Sequence, residues 1–349
     1  MGIKVLIVDD SATARAVLTE ILSNDPDISS VETAVDAYVA RDKIVKNRPD
    51  VVCLDVEMPR MDGITFLRKL MKHMPVPVVM VSSLTQKGAR TTLDALEAGA
   101  IDFVAKPHSN IYEGSDEIRK ELLAKVKSAA TARVQVKQSS AEISKPLTYR
   151  GALSETTQKI VAIGASTGGT EALKELLIQL PRNSPGIIIV QHMPANFTGP
   201  FSERLNSLCE VEVREAKNGD SVGIGQALIA PGDRHMVLRR SGHRYHVELG
   251  SGANVSGHKP SVDVLFNSVS KSAGANAVGV ILTGMGSDGA KGLLNMRKAG
   301  ARTIGQDENS CVVYGMPRVA YEIGGVEEQM SLEKIPKRIL ELISEDRRA

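Results

Sequence analysis

Residues 159–173, KIVAIGASTGGTEAL, run an apolar segment into a serine set among glycines and then into a helix-period pattern. A strand that closes on a tight glycine turn before a helix is the repeating join of a parallel α/β sheet. Such a turn can cradle a phosphate, receive a dinucleotide, or hold up a serine as a nucleophile. A phosphate loop needs Lys and a hydroxyl residue after its last glycine, but Gly169 is followed by Thr170 and Glu171. A dinucleotide turn needs G-x-G-x-x-G, and Ser166 stands where the second glycine belongs. Gly164-Ala165-Ser166-Thr167-Gly168 does satisfy G-x-S-x-G, which exposes a serine hydroxyl at the top of a sheet. That short pattern is common by chance and needs partners.

Outward from this stretch the alternation continues. Helix-period TEALKELLIQL is followed by strand-like GIIIVQH, and later by ALIAP, NAVGVILTG and ARTIGQ. HMVLRRSGHRYHVEL has two half-alternating runs about a Ser-Gly turn, the pattern of a β-hairpin. Residues 154–346 therefore read as a doubly wound, mainly parallel α/β domain with an antiparallel β-hairpin. Upstream the periodicity breaks in a stretch rich in Ser, Ala, Thr and Lys, and 125–153 reads as a linker. Residues 3–124 alternate again, with strand-like KVLIVDD, SVETA, PDVVCLD, PVVMVSS and AIDFVAKP separated by helical patterns. Five such repeats predict a (βα)5 domain with a parallel sheet covered on both faces.

Composition excludes several classes. A net charge of +2 offers no broad electrostatic footprint for nucleic acid or an anionic membrane. Aromatic residues make up 3% with no Trp, too few for a single-strand stacking platform. No apolar run approaches the ~18 residues of a membrane span. MGIKVLIVDD reads as a strand and not as a signal peptide, so a cytoplasmic protein without membrane insertion is expected. Cys53, Cys209 and Cys311 fit no metal or redox spacing.

In open parallel sheets ligands bind beyond the carboxyl ends of the strands. In the first domain those ends carry Asp9, Asp10, Asp55, Ser82 and Lys106. Three carboxylates brought together repel unless a hard cation such as Mg²⁺ neutralises them. One of them could then attack a phosphoryl group while Lys106 and the metal take up charge on its oxygens. With VDDS, LDVEMPRMDG, VVMVSS and DFVAKP, this region resembles the flavodoxin-like receiver domains of two-component response regulators. The resemblance implies that Asp55 is the phosphoacceptor and that Asp9, Asp10, Asp55 and the Glu57 carbonyl hold Mg²⁺. It further implies that Lys106 is the phosphate partner, Ser82 the switch hydroxyl and Phe103 the aromatic switch position, often Tyr in relatives.

In the second domain a serine needs a base. His192 ends GIIIVQH one β-α-β unit after Ser166, and a right-handed crossover places that strand beside the serine's or close to it. His235 in APGDRHM is the runner-up, while His258 and the remaining histidines read as structural or solvated. Asp288, in the glycine-rich turn after NAVGVILTG, is the candidate orienting carboxylate, and the backbone at Met285 could serve an oxyanion. Taken alone, Asp288 would read as the N-cap of the helix that follows. The order Ser, His, Asp differs from that of α/β-hydrolases.

IGASTGGTEAL, VQHMP, IAPGDRHM, KPSVDVLF, GVILTGMGSDGA and CVVYGMPR together resemble the CheB family of chemotaxis-specific protein-glutamate methylesterases, almost end to end. The resemblance implies a triad of Ser166, His192 and Asp288, with the backbone of Thr167 and Met285 near the oxyanion. It implies removal of methyl groups from glutamate methyl esters on methyl-accepting chemotaxis receptors, with release of methanol, and deamidation of receptor glutamines. No cofactor is expected for the esterase chemistry, and a chemotaxis histidine kinase is the expected phosphodonor. The alternative is a response regulator with a non-enzymatic binding output. A DNA-binding output would need a small domain with a basic recognition helix, which the α/β second half does not suggest.

Overall fold

Strands β1 (Ile3–Val8), β2 (Ile28–Ala34), β3 (Val51–Asp55), β4 (Val78–Ser82) and β5 (Asp102–Ala105) alternate with five helices. These are α1 (Ala12–Ser23), α2 (Ala37–Lys46), α3 (Gly63–His73), α4 (Gln86–Glu97) and α5 (Ser115–Thr131). The structure, a computed structural model, describes residues 2–82, 85–106, 115–134, 147 and 159–345. β3 and β4 are buried at every position, as central strands covered on both faces must be. All pairings are parallel, in the order β2-β1-β3-β4-β5. Ser11, Asp36, Asp62 and Thr85 accept first-turn N–H groups and start α1 to α4, each cap contributing about 1 kcal/mol. The strand order reverses between β1 and β3, which opens a crevice at their carboxyl ends.

The chain divides into two compact units, Met1–Ser140 and Ala141–Ala349. α5 runs to Thr131, into the stretch that composition reads as linker. Residues 135–146 and 148–153 of that stretch lie outside the described residues.

The second unit holds β6 (Ile160–Ala165), α6 (Gly169–Ile178), β7 (Gly186–Gln191), α7 (Ala195–Asn206), β8 (Glu212–Glu215) and β9 (Gln226–Ile229). The hairpin β10 (His235–Ser241) and β11 (Arg244–Gly250) follows, then α8 (Val262–Ser272), β12 (Ala277–Ile281) and α9 (Ala290–Lys298). β13 (Arg302–Gln306), α10 (Met316–Glu322), β14 (Glu328–Met330) and α11 (Ile335–Glu345) complete it. Seven strands form one parallel sheet in the order β14-β13-β12-β6-β7-β9-β8, and the hairpin stands apart as an antiparallel pair.

The period-2 alternation of the strands sorts their side chains. Ile160, Ala162, Ile188, Val190 and Leu228 join one core with Phe266 of α8, Leu293 and Met296 of α9, and Met236 and Leu238 of the hairpin. Fully burying a residue such as Phe266 contributes about 1.5–3 kcal/mol. Val161, Ile163, Ile187 and Ile189 alternate with these and are equally buried. α6 and α11 pack on each other and on β6, β12 and β13, so the sheet is covered on both faces. With β7 on one side of β6 and β12 on the other, the switch point lies at the ends of β6 and β12. Among the described residues, no helix is long and apolar enough to cross a membrane.

Candidate active sites

Each unit gathers its reactive side chains at its own switch point. In the first, Asp9 and Asp10 follow β1 and Asp55 ends the neighbouring β3. One oxygen from each of these three carboxylates lies within 4.8 Å of the others. Lys106 follows β5, and its Nζ stands 2.8 Å from Asp9 Oδ2 and 2.9 Å from Asp55 Oδ2. Burial raises the Asp55 carboxyl above its ordinary value; the Lys106 contact opposes that rise and the Asp9 charge adds to it. The donor set is all carboxylate, which suits a hard divalent cation such as Mg²⁺. Glu57 is exposed, and its backbone N–H is among the groups that oppose the rise at Asp55.

Two residues that shape this pocket escaped sequence reasoning. Arg15 Nη1 donates to the carbonyls of Asp9 at 2.7 Å and Asp10 at 2.9 Å, fixing the acidic loop. At Gly63 a Cβ would stand 2.1 Å from the Asp55 carbonyl oxygen, so the glycine of PRMDG is needed for close approach. Ser82 and Phe103 are both buried. Ser82 Oγ lies 2.7 Å from Thr92 Oγ1 of α4, and the Lys125 ammonium of α5 stands 4.9 Å over the Phe103 ring.

In the second unit, Ala165 at the end of β6 is in register with Gln191 at the end of β7. Ser166 and His192 are the next residues, so adjacent parallel strands deliver them side by side. The buried Gln191 amide clamps both, donating from Nε2 to the Ser166 carbonyl at 2.9 Å and the His192 carbonyl at 3.2 Å. His192 Nε2 lies 2.9 Å from Asp288 Oδ2. An ionised carboxylate only accepts, so Nε2 carries the proton and Nδ1 holds the lone pair. Nδ1 is buried and has no hydrogen-bond partner among the described residues, so the Ser166 hydroxyl is adjacent in the fold without bonding to the ring. Apo hydrogen bonds of this kind commonly tighten only when substrate is bound.

Asp288 does not cap α9, the helix it precedes, which Gly289 opens without a side-chain cap. It sits instead on the N-terminus of α8, accepting from Val262 N at 2.7 Å, Asp263 N at 3.1 Å and Ser261 Oγ at 2.8 Å. Burial favours its neutral form, but the His192 contact and these donors outweigh it and hold the carboxyl below its ordinary value. The loop after β12 closes over the serine. Ser166 N–H donates to the Thr283 carbonyl at 3.0 Å, and Thr283 Oγ1 donates to the Thr167 carbonyl at 3.0 Å. A Cβ at Gly284 would meet Ser166 Cβ at 2.7 Å and Met316 Sδ at 2.4 Å. Met285 N–H donates to no acceptor among the described residues. Thr167 is buried within the turn.

His235 is engaged at both ring nitrogens, with the Ala253 carbonyl at 2.8 Å and the Ser261 N–H at 3.3 Å. Those contacts make it a brace and not a base. His258, which sequence reasoning set aside, stacks on His192 with ring centroids 3.7 Å apart and planes 11° from parallel. The cysteines stand in neither site, and burial pushes the Cys53 and Cys209 thiols up to about 12.

An acid pocket with a lysine on one α/β unit, and a serine, histidine and aspartate at the switch point of another, define a receiver domain joined to a hydrolase-type output domain. Comparison with known proteins agrees at both ends. Residues 5–113 match the response regulator receiver domain model, and residues 161–339 match the CheB methylesterase model. A Sulfurimonas denitrificans protein named protein-glutamate methylesterase/protein-glutamine glutaminase is 61% identical over 99% of each chain. A Salmonella typhimurium protein of the same name is 54% identical over 98% of this chain and 97% of its own. The crystal structure of the Thermotoga maritima CheB methylesterase catalytic domain aligns with a TM-score of 0.52 at 37% identity, covering 53% of this chain and 99% of that one. The chain belongs to the CheB methylesterase family, with a response regulator receiver domain at its N-terminal end.

Proposed function

We propose that this chain is a phosphorylation-activated serine hydrolase. It removes methyl groups from glutamate methyl esters on chemotaxis receptors, releasing methanol, and deamidates receptor glutamines. One observation carries the hydrolase reading: His192, at the strand end beside Ser166, has a buried Nδ1 lone pair with no partner among the described residues, while its Nε2 is held by an ionised Asp288. In this reading Ser166 Oγ attacks the ester carbonyl and His192 Nδ1 takes the hydroxyl proton. Asp288 stabilises the resulting imidazolium, and the N–H groups of Thr167 and Met285 receive the oxyanion. The proton then passes from Nδ1 to the departing methoxide, or, when the substrate is an amide, to the departing nitrogen, which leaves as ammonia. Water, activated by the same nitrogen, frees the glutamate. All of these steps are assigned to protein groups.

In the receiver, spanning 3–124, Asp55 accepts the phosphoryl group from a chemotaxis histidine kinase. Asp9, Asp10 and the Glu57 carbonyl would join Asp55 in holding Mg²⁺, which when bound would neutralise charge on the phosphoryl oxygens. Lys106 pairs with one of those oxygens and Ser82 hydrogen-bonds another. The Phe103 side chain follows that movement, and the change is passed across the linker at 125–153 to the catalytic domain at 154–346. The reading places the protein in the cytoplasm, with receptor and kinase as partners and no nucleic acid.

Methanol release from methylated receptor tests the hydrolase assignment. Ser166→Ala should abolish it while acyl phosphate still forms at Asp55. Near-normal release by that variant would overturn the triad.

A further inference from the structure

The segment 251–259 is a strap tied down at several points. His235 Nε2 holds the Ala253 carbonyl at 2.8 Å, and Asp233 N–H donates to the Lys259 carbonyl at 3.3 Å. Ser256 Oγ reaches Asp263 Oδ2 at 3.5 Å. Val255 and His258 exchange both backbone hydrogen bonds at 3.0 Å around Ser256 and Gly257, whose φ angles are 54° and 82°. Two central residues at positive φ mark a type I′ turn, and the non-glycine Ser256 takes that conformation at some cost. The turn delivers one ring: His258 lies face to face with His192 at 3.7 Å. Two residues past Lys259 the same segment supplies Ser261, whose hydroxyl donates to Asp288.

His192 is held at Cβ by the chain and at Nε2 by Asp288. A ring fixed at two points still turns about the line that joins them. Nδ1 lies off that line, so such turning swings the lone pair that must meet Ser166 Oγ. Among the described residues nothing hydrogen-bonds Nδ1 to stop it. A flat neighbour against the ring face does. We propose that His258 is a positioning residue for His192: its stacked ring fixes the plane of the base, and its π-face accommodates the imidazolium formed when Ser166 gives up its proton. This rests on the triad reading above.

The test uses the full chain on methylated receptor, with the phosphodonor held constant, and separates kcat from KM. His258→Ala and His258→Leu should lower kcat by about 10²-fold, the cost of a misplaced catalytic group, with KM within about twofold. His258→Phe keeps a flat face without a titrating nitrogen and should retain kcat within about threefold. A leucine variant as active as wild type would mean that bulk alone suffices and would overturn the proposal. So would a phenylalanine variant as impaired as the alanine variant, because a nitrogen and not the ring face would then be needed. If alanine prevents folding, the leucine and phenylalanine pair still decides. Ser166→Ala in the same assay separates the two readings: full activity there sinks the triad itself, whereas unaffected His258 variants beside an inactive Ser166→Ala sink only the stacking role.

Discussion

At Asp288 a single carboxylate does two jobs that sequence logic treats as rivals. It terminates a helix and it faces a histidine, with four donors on two oxygens. The helix N-terminus offsets the cost of burying the charge, which leaves Asp288 ionised to accept from Nε2 and, in the proposed triad, to stabilise an imidazolium. Gly284 shows the same economy in the opposite sense, since what matters there is an absent side chain. Gly284→Ala should lower methanol release by at least about 10²-fold, because the new methyl would displace Ser166 or Met316. Gly286→Ala, where φ is +83° but nothing lies within 4 Å, serves as the comparison for backbone strain without a clash. If Gly284→Ala matched Gly286→Ala in activity, the close approach would have no catalytic meaning.

The elements bring these residues together through ordinary α/β rules, and most of those rules were legible. Apolar runs at KIVAIG and GIIIVQH mark β6 and β7, and the crossover places them side by side or close together; the structure pairs them directly. β8 and β14 were not legible. They are edge strands of four and three residues, Glu212–Glu215 and Glu328–Met330, and a polar edge leaves no alternation to read. The stack of His258 was illegible for a different reason: it depends on a strap folding back by tertiary contacts, which no local period encodes. Asp288 was visible as a candidate, but its seat on α8 was not, because Ser261 and Asp288 are joined only in space.

β14 also carries a stability prediction. Glu328 accepts from Arg338 of α11 through both oxygens and from Arg302 of β13, tying the last helix to the sheet edge. The Arg338 hydrogen bonds, against some burial, hold the Glu328 carboxyl below its usual value. A carboxylate with a depressed folded pKa contributes stability that is full above its unfolded value, about 4.3, and is lost as pH falls through the folded value. Glu328→Gln should therefore cost about 1 kcal/mol at pH 7, and the cost should fade below about pH 4. Denaturant melts across that range check it. An equal cost at pH 7 and pH 3 would show that packing, and not charge, holds α11.

Across the whole chain, two units place reactive groups at the carboxyl ends of their own sheets, and each set sits where strand order reverses. In the proposed reading one set takes a phosphoryl group and the other an acyl group. Neither chemistry needs the other, so a chain that carries both implies that the first governs the second. The receiver pocket holds the means for a change of state: Ser82 is buried and bonded to Thr92 of α4, so in the proposed switch a demand on Ser82 from a phosphoryl oxygen competes with that helix contact. The most direct measurement is the rate of methanol release from methylated receptor by the full chain, with and without Mg²⁺ and a small-molecule phosphodonor, for wild type and Asp55→Asn. The account predicts that donor and Mg²⁺ together accelerate wild type, and that Asp55→Asn stays at the unstimulated rate in every condition. Equal stimulation of Asp55→Asn, or a wild-type rate unmoved by a phosphoryl group shown by mass spectrometry to be on Asp55, would contradict it.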